Sequence, residues 1–165
     1  MTLTLILFLI VLPFGLGAIF GAPYLPILRR DSRKLLDIAD IKPGQVLIDL
    51  GSGDGRLLRA AAARGATCIG HEINPYLVLV SRLVCWRYRH RVTIHTANLW
   101  NTRLAPADVI YVFMIDKHMA RLEKKLTEEI QRPTKVISYI FELPTKSPVH
   151  QTRNTYVYEF GAALK

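Results

Sequence analysis

Two hydrophobic patterns divide the chain. From Leu3 to Gly21 no side chain is charged, whereas beyond position 28 charged residues are dense and apolar runs are short. In this second region, apolar positions 35, 36, 38 and 39 after Asp31-Ser32 predict a helix over Ser32–Ala39, closed by the turn Lys42-Pro-Gly44. Val46–Leu50 is an apolar run ending in glycines, the pattern of a strand buried on both faces of a parallel sheet. A helix is predicted over Arg56–Arg64 with Gly65 as its stop, then a strand over Thr67–His71. Pro75 opens a helix running to about Arg89, Val92–His95 reads as a third strand and Asp108–Met114 as a fourth. Met119, Leu122, Leu126 and Ile130 form one stripe of a helix over His118–Gln131, with Lys124, Lys125, Glu128 and Glu129 off it. Lys135–Phe141 is the fifth strand, and Thr155–Phe160 a last one after the polar loop Pro144 to Asn154. This alternation predicts an α/β fold, a doubly wound and mostly parallel sheet with helices on both faces and a ligand site at the carboxyl ends of its strands.

The charge-free segment would reach roughly 28 Å as a helix, enough to cross a bilayer once. Pro13, Gly15 and Gly17 are tolerated in a membrane helix, and the run lacks the basic n-region of a cleaved signal peptide. Residues 1–28 are therefore expected to be a transmembrane anchor with a juxtamembrane segment, and 29–165 a single domain. Arg29, Arg30, Arg33 and Lys34 follow the span and no basic side chain precedes it, which points the domain to the cytoplasmic side. The net charge of +9 suits an anionic partner, such as phospholipid head groups, nucleic acid or an acidic protein, or else a solvated basic surface. Cys68 and Cys85 make no CxxC pattern and lie inside predicted elements, so buried free thiols are expected, and no His/Cys spacing suggests a metal.

Candidate chemistry concentrates after the first strand. Gly51-Ser52-Gly53-Asp54-Gly55 must turn tightly while its backbone approaches a ligand, and the spacing is GxGxG rather than the dinucleotide GxGxxG. Asp49 and Asp54 would repel a pyrophosphate, whereas both can attract the sulfonium and ammonium of S-adenosylmethionine (SAM). Glu72, nineteen residues after Gly53, stands where a carboxylate accepts bonds from both ribose hydroxyls, and Ile73 is placed to pack on adenine. After the third strand, Asn98 is placed to bond the adenine edge while Leu99 and Trp100 cover the ring. No Asn/Asp-Pro-Pro-Tyr/Phe follows the fourth strand, where Val112-Phe-Met-Ile115 stands, which argues against an adenine or glutamine amino-group methyltransferase using that motif. Trp86-Arg-Tyr-Arg-His-Arg91 mixes basic and aromatic groups that could touch RNA or lipid, but at a helix end a solvated terminus favoured by the helix dipole is the expected reading. His90 and His95 read as surface and strand-end residues.

Taken together, Gly21-Ala-Pro-Tyr-Leu-Pro26, Asp49-Leu-Gly-Ser-Gly-Asp-Gly-Arg56, Gly70-His-Glu-Ile-Asn-Pro75, Asn98-Leu-Trp100 and Leu122-Glu-Lys-Lys-Leu126 carry a resemblance. The sequence resembles the membrane-anchored protein lysine methyltransferases that include the ATP synthase c-subunit and adenine nucleotide translocase enzymes. The resemblance implies a class I fold, SAM as cofactor and transfer of its methyl group to a lysine of a membrane or membrane-adjacent protein. It makes Tyr24 and Asn98 the candidate catalytic residues, Tyr24 lining the lysine channel beside the membrane. Asn98 departs from the family's usual aspartate, a change that bears on adenine contacts or substrate approach. Nucleic acid is not the expected partner. The relatives act in mitochondria, which implies the inner membrane for a eukaryotic source, but no Arg- and Ser-rich transit peptide is present and a prokaryotic inner membrane fits as well. Two alternatives stay open, a methyltransferase for a small or lipid-like acceptor and a non-enzymatic SAM-binding membrane assembly factor.

Overall fold

A computed structural model describes residues 29–161; Tyr24 and the apolar segment predicted to span the bilayer lie outside them. Four helices, α1 (Arg29–Ala39), α2 (Arg56–Ala63), α3 (Pro75–Val84) and α4 (Met119–Glu129), pack on one sheet. Its strands are β1 (Val46–Leu50), β2 (Thr67–Glu72), β3 (Val92–Thr96), β4 (Val109–Val112), β5 (Thr134–Tyr139), β6 (His150–Thr152) and β7 (Thr155–Phe160), in the order β3-β2-β1-β4-β5-β7-β6. The first five in that order are mutually parallel, and β7 runs antiparallel to both of its neighbours. The order reverses direction between β1 and β4, so the crevice for a ligand opens at the carboxyl ends of those strands.

Strand alternation divides the core into two clusters, one on each face. Leu47, Cys68, Val92, Val109, Tyr111, Ile137 and Val157 face α1, α2 and α3. Ile48, Leu50, Ile110, Val112, Val136 and Tyr158 face α4 together with Leu104, Ala107 and Leu143. Lys135 Nζ donates to Ala39 O at 2.8 Å, which ties the end of α1 to the start of β5.

The predicted elements form with local differences. The third helix stops at Val84, because Cys85 leaves helical geometry (φ −90°, ψ 2°), and Trp86–Tyr88 is a single 3₁₀ turn. The loop read as polar contains β6, whose three residues are all exposed, so no buried face marked it as a strand. Strand β5 ends at Tyr139 because Ile140 adopts φ 75° and donates its N–H to Asn154 O. Lys125, off the apolar stripe of α4, is nonetheless buried. No helix among the described residues is long and apolar enough to cross a membrane.

Candidate active site

The glycine loop is positioned by backbone bonds before any ligand is considered. Gly51 N and Ser52 N both donate to His71 O, at 2.9 and 3.0 Å, so the loop leaves β1 fastened to β2. Gly51 has φ 106°, and a Cβ there would meet nothing within 4 Å, so the backbone fronts open space. Gly55 answers a different need. With φ 76°, a Cβ on it would stand 2.8 Å from Ser81 Cβ, so only glycine lets α2 start against α3. Glu72 lies across this loop: Gly53 N donates to its Oε2 at 2.9 Å and Asn74 N to its Oε1 at 2.8 Å. Two backbone donors fix the carboxylate, and each oxygen keeps acceptor capacity for a hydroxyl. Asn74 also accepts from Tyr76 N, capping α3.

Asp49, one residue before the end of β1, is 2 % exposed, and its Oδ1 has no hydrogen-bond partner. Burial, then the charges of Glu72 and Asp54, hold its carboxyl well above the usual range. A buried acid beside two others is a place where a cation lowers the free energy. Asp54 has a cation already: the Arg56 guanidinium bonds both of its oxygens, with Nε at 3.0 Å from Oδ1 and 2.9 Å from Oδ2. By charge alone Asp54 and Asp49 share one task; the geometry ties Asp54 to Arg56 and leaves Asp49 and Glu72 without a cation among the described residues.

The remaining candidates stand around this centre. Ile73 is exposed and Ser52 Oγ is buried without a partner. Asn98 Oδ1 accepts from Trp100 N at 3.0 Å, capping the 3₁₀ turn Leu99–Asn101, so its side-chain oxygen is committed locally. Leu99 and Trp100 are half-buried against the α4 cluster, and Trp100 meets His118 edge-on at 5.7 Å with Arg121 over its ring at 4.3 Å. Three residues were missed by sequence reasoning, the first of them His71, whose buried Nδ1 has no partner and whose pKa is lowered by burial, then by His95 and Lys125. Tyr111 pairs with Asp49 in register on β4; its buried hydroxyl has no partner, and burial, then Asp49, Tyr139 and Asp31, raise its pKa well above the ordinary value. His118 also carries a buried unpartnered nitrogen, Nε2, and burial, Lys117 and Arg121 lower its pKa. The last two looked like ordinary members of an apolar strand and a helix start, and only the missing bonds distinguish them.

An open groove of about 540 Å³ lies at the same edge, between the first turn of α4 and the chain after β5, and Asp116, Ile140, Glu142, Pro144 and Tyr156 are among its walls. No group of three His, Cys, Asp or Glu among the described residues has the geometry of a metal site. Cys68 and Cys85 are buried free thiols, pushed up to about 12 and about 11 chiefly by burial. The donor set fits SAM: a carboxylate with spare acceptors for a ribose diol, a buried unpaired acid for a cation, and an open glycine backbone between them.

Comparison with known proteins agrees with this geometry. A family described as the ANTKMT methyltransferase domain matches residues 49–150. The ATP synthase c-subunit lysine N-methyltransferase of Xenopus laevis is 32% identical over 149 residues, covering 87% of this chain and 66% of that protein. The adenine nucleotide translocase lysine N-methyltransferase of Mus musculus is 35% identical over 130 residues, covering 77% of this chain and 56% of its own length. The chain thus spans just under two thirds of the first of these relatives and little more than half of the second. Among solved structures, an RNA methyltransferase from Salinibacter ruber in complex with S-adenosyl-L-homocysteine superposes with a TM-score of 0.76 at 28% identity, over 82% of this chain and 92% of that one. The sheet is accordingly of the Rossmann-like methyltransferase type. The stretch that the family model matches takes in the end of β1 and all of β2 to β5 with the glycine loop and Glu72, and the protein belongs to the ANTKMT methyltransferase domain family.

Proposed function

We propose that this protein is a SAM-dependent protein-lysine N-methyltransferase acting on a membrane or membrane-adjacent protein. The observation that carries the reading is the pair of buried acids with no cation on them among the described residues, Asp49 and Glu72, on either side of an open glycine turn. When bound, SAM supplies a methyl group on a sulfonium, already activated for displacement. The chain's own work is positioning. Glu72, fixed by Gly53 N and Asn74 N, receives the ribose hydroxyls; Asp49 attracts the cationic end; Gly51, Ser52 and Gly53 bring the backbone close, and Gly55 seats the start of α2 against α3. Ile73, Leu99 and Trp100 flank the adenine, with Asn98 at its edge. Asp54 contributes through Arg56, shaping the loop rather than facing the ligand.

The lysine must arrive neutral. Its amine, with an ordinary pKa of about 10.4, loses its proton more readily in dehydrated surroundings, which disfavour the ammonium. The groove beside α4 offers Asp116 and Glu142 to attract the incoming side chain and Tyr156 to line its path. Residues 1–28 anchor the chain through one span with the domain of residues 29–165 on the cytoplasmic side, and Tyr24 lies by the lysine channel. The charge-free run Leu3–Gly21, followed by Arg29, Arg30, Arg33 and Lys34, supports this. Anchoring raises the local concentration of membrane-borne targets.

A second reading has a specific observation behind it: the Salinibacter ruber neighbour is an RNA methyltransferase, and this chain carries a net charge of +9. One experiment separates the two. Membranes bearing wild-type protein or Glu72→Ala are given methyl-tritiated SAM, and label is followed into protein, organic extract and nuclease-sensitive material. The proposal expects label in protein bands that hydrolyse to methyl-lysine, and its loss with Glu72→Ala. Label in nuclease-sensitive material or lipid extract, or equal label in both samples, refutes it.

A further inference from the structure

Helix α3 is apolar on both sides, and only one side has a core to face. Leu77, Val78 and Ser81 are buried against the sheet and α2. On the opposite side Tyr76, Leu79, Val80 and Leu83 are 49, 59, 42 and 66 % exposed, and Trp86 just beyond is 63 % exposed. The spacing i, i+3, i+4, i+7 makes these one continuous stripe along the helix. A contiguous apolar surface of this kind on a folded domain marks something it binds.

The charges around the stripe say what that is. From Ile73 to Ala97 the chain has no Asp or Glu, but it has Arg82, Arg87, Arg89 and Arg91, all exposed. None of these four takes part in a salt bridge among the described residues; Arg82 and Arg91 bond the carbonyls of Ile94 and Gly65, so their charge is not neutralised. The Arg89 guanidinium lies 4.9 Å above the Trp86 ring, so the aromatic and the cation share one spot. Tyr and Trp at the ends of an aliphatic stripe, with arginines at its border, match the chemistry of the water-bilayer boundary over anionic head groups.

We propose that the outward face of α3 is a membrane-contact surface, with Leu79, Val80, Leu83 and Trp86 immersed in the head-group region of an anionic bilayer. This contact belongs to the domain itself and is separate from both the N-terminal segment and the methyl-transfer reading. It would restrain the domain's orientation, so that the cleft meets targets at a set height above the lipid.

The test uses the full chain reconstituted into phosphatidylglycerol-containing vesicles, with a nitroxide on Leu83→Cys and, separately, on Lys124→Cys of α4. Cys68 and Cys85 are buried, so the label goes to the introduced thiol. Collision with oxygen against a water-soluble nickel chelate should place the Leu83→Cys label roughly 5–10 Å into the interface and leave the Lys124→Cys label in water. Adding Arg87→Glu and Arg89→Glu should return the Leu83→Cys label towards water. An equally aqueous label at both positions overturns the proposal even if the N-terminal segment is inserted and methylation is intact. Spin-spin broadening from a second copy, or immersion only when a substrate protein is present, overturns it as well.

Discussion

Two buried polar regions of this domain follow opposite rules. Beneath α4 and the β5–β7 edge, buried polar side chains have found partners. Tyr158 OH accepts from Leu143 N at 2.9 Å, Glu123 takes both Thr145 N and Thr145 Oγ1, Ser138 donates to Phe141 O, Thr134 donates to Ala107 O, and Lys125 reaches Thr102 O and Glu129. At the carboxyl ends of β1, β2 and β4, by contrast, Asp49, Ser52, His71, Tyr111 and His118 each bury a polar atom with no partner. Buried polar groups are normally bonded, so the satisfied region reads as stabilising structure and the unsatisfied one as a place prepared for something else.

The sharpest way to break this contrast is Asp49→Asn. The charge that is unfavourable to the free fold is the one proposed to attract the cofactor, so the two effects should separate. Affinity for S-adenosylhomocysteine, measured by calorimetry, should fall by about 10- to 100-fold, the range for losing a charge-assisted contact. The free variant should melt at a higher temperature than wild type at pH 8. Asp49 has a folded-state pKa raised by burial, Glu72 and Asp54, so its contribution favours the fold below the ordinary carboxylate range and is lost as pH climbs through the raised value. The melting gap between variant and wild type should therefore be widest at pH 8 and close as pH falls towards 4. A variant that is less stable than wild type at pH 8 would contradict the account of Asp49 as a poised acid.

How much of this was legible in the chain follows from the same division. Val46–Leu50 and Asp108–Met114 announced central strands because both of their faces are buried, and the glycine loop and Glu72 were legible because their spacing follows from strand-turn-helix geometry. Strand β6 was not legible, since His150–Thr152 buries nothing and its pairing with β7 is a backbone matter. The pairing of Asp54 with Arg56 was hidden because two acids near a glycine turn look equivalent until an arginine is seen to claim one. The stripe on α3 was hidden for the reverse reason: a helix whose every side is apolar looks like core, and sequence cannot say which side lacks a neighbour. Tyr24 and the apolar segment fall outside the described residues.

A smaller effect, with the opposite pattern, is expected from the satisfied region. Tyr158→Phe removes the acceptor of Leu143 N and leaves a buried donor unpaired, which costs about 1–3 kcal/mol. Denaturant unfolding should show that loss while cofactor affinity stays unchanged. A loss of affinity comparable to that of Asp49→Asn would mean that the two regions are not independent.

Tyr111→Phe is expected to have the smallest effect on stability, and its sign is informative. It deletes a buried hydroxyl without a partner, so the free protein should be unchanged or more stable, by at most about 1–2 kcal/mol. This is the reverse of Tyr158→Phe, although the chemical change is identical. Tyr111 stands in register with Asp49, and Asp49 is among the charges that raise its pKa, so the hydroxyl belongs to the same prepared cleft. If it meets ligand or substrate, calorimetry or single-turnover methylation will show a weaker cofactor or a slower step in the variant, against undiminished stability. If Tyr111→Phe instead destabilises the fold as much as Tyr158→Phe does, its hydroxyl has a structural partner, and an empty bond could no longer be read as a mark of the site.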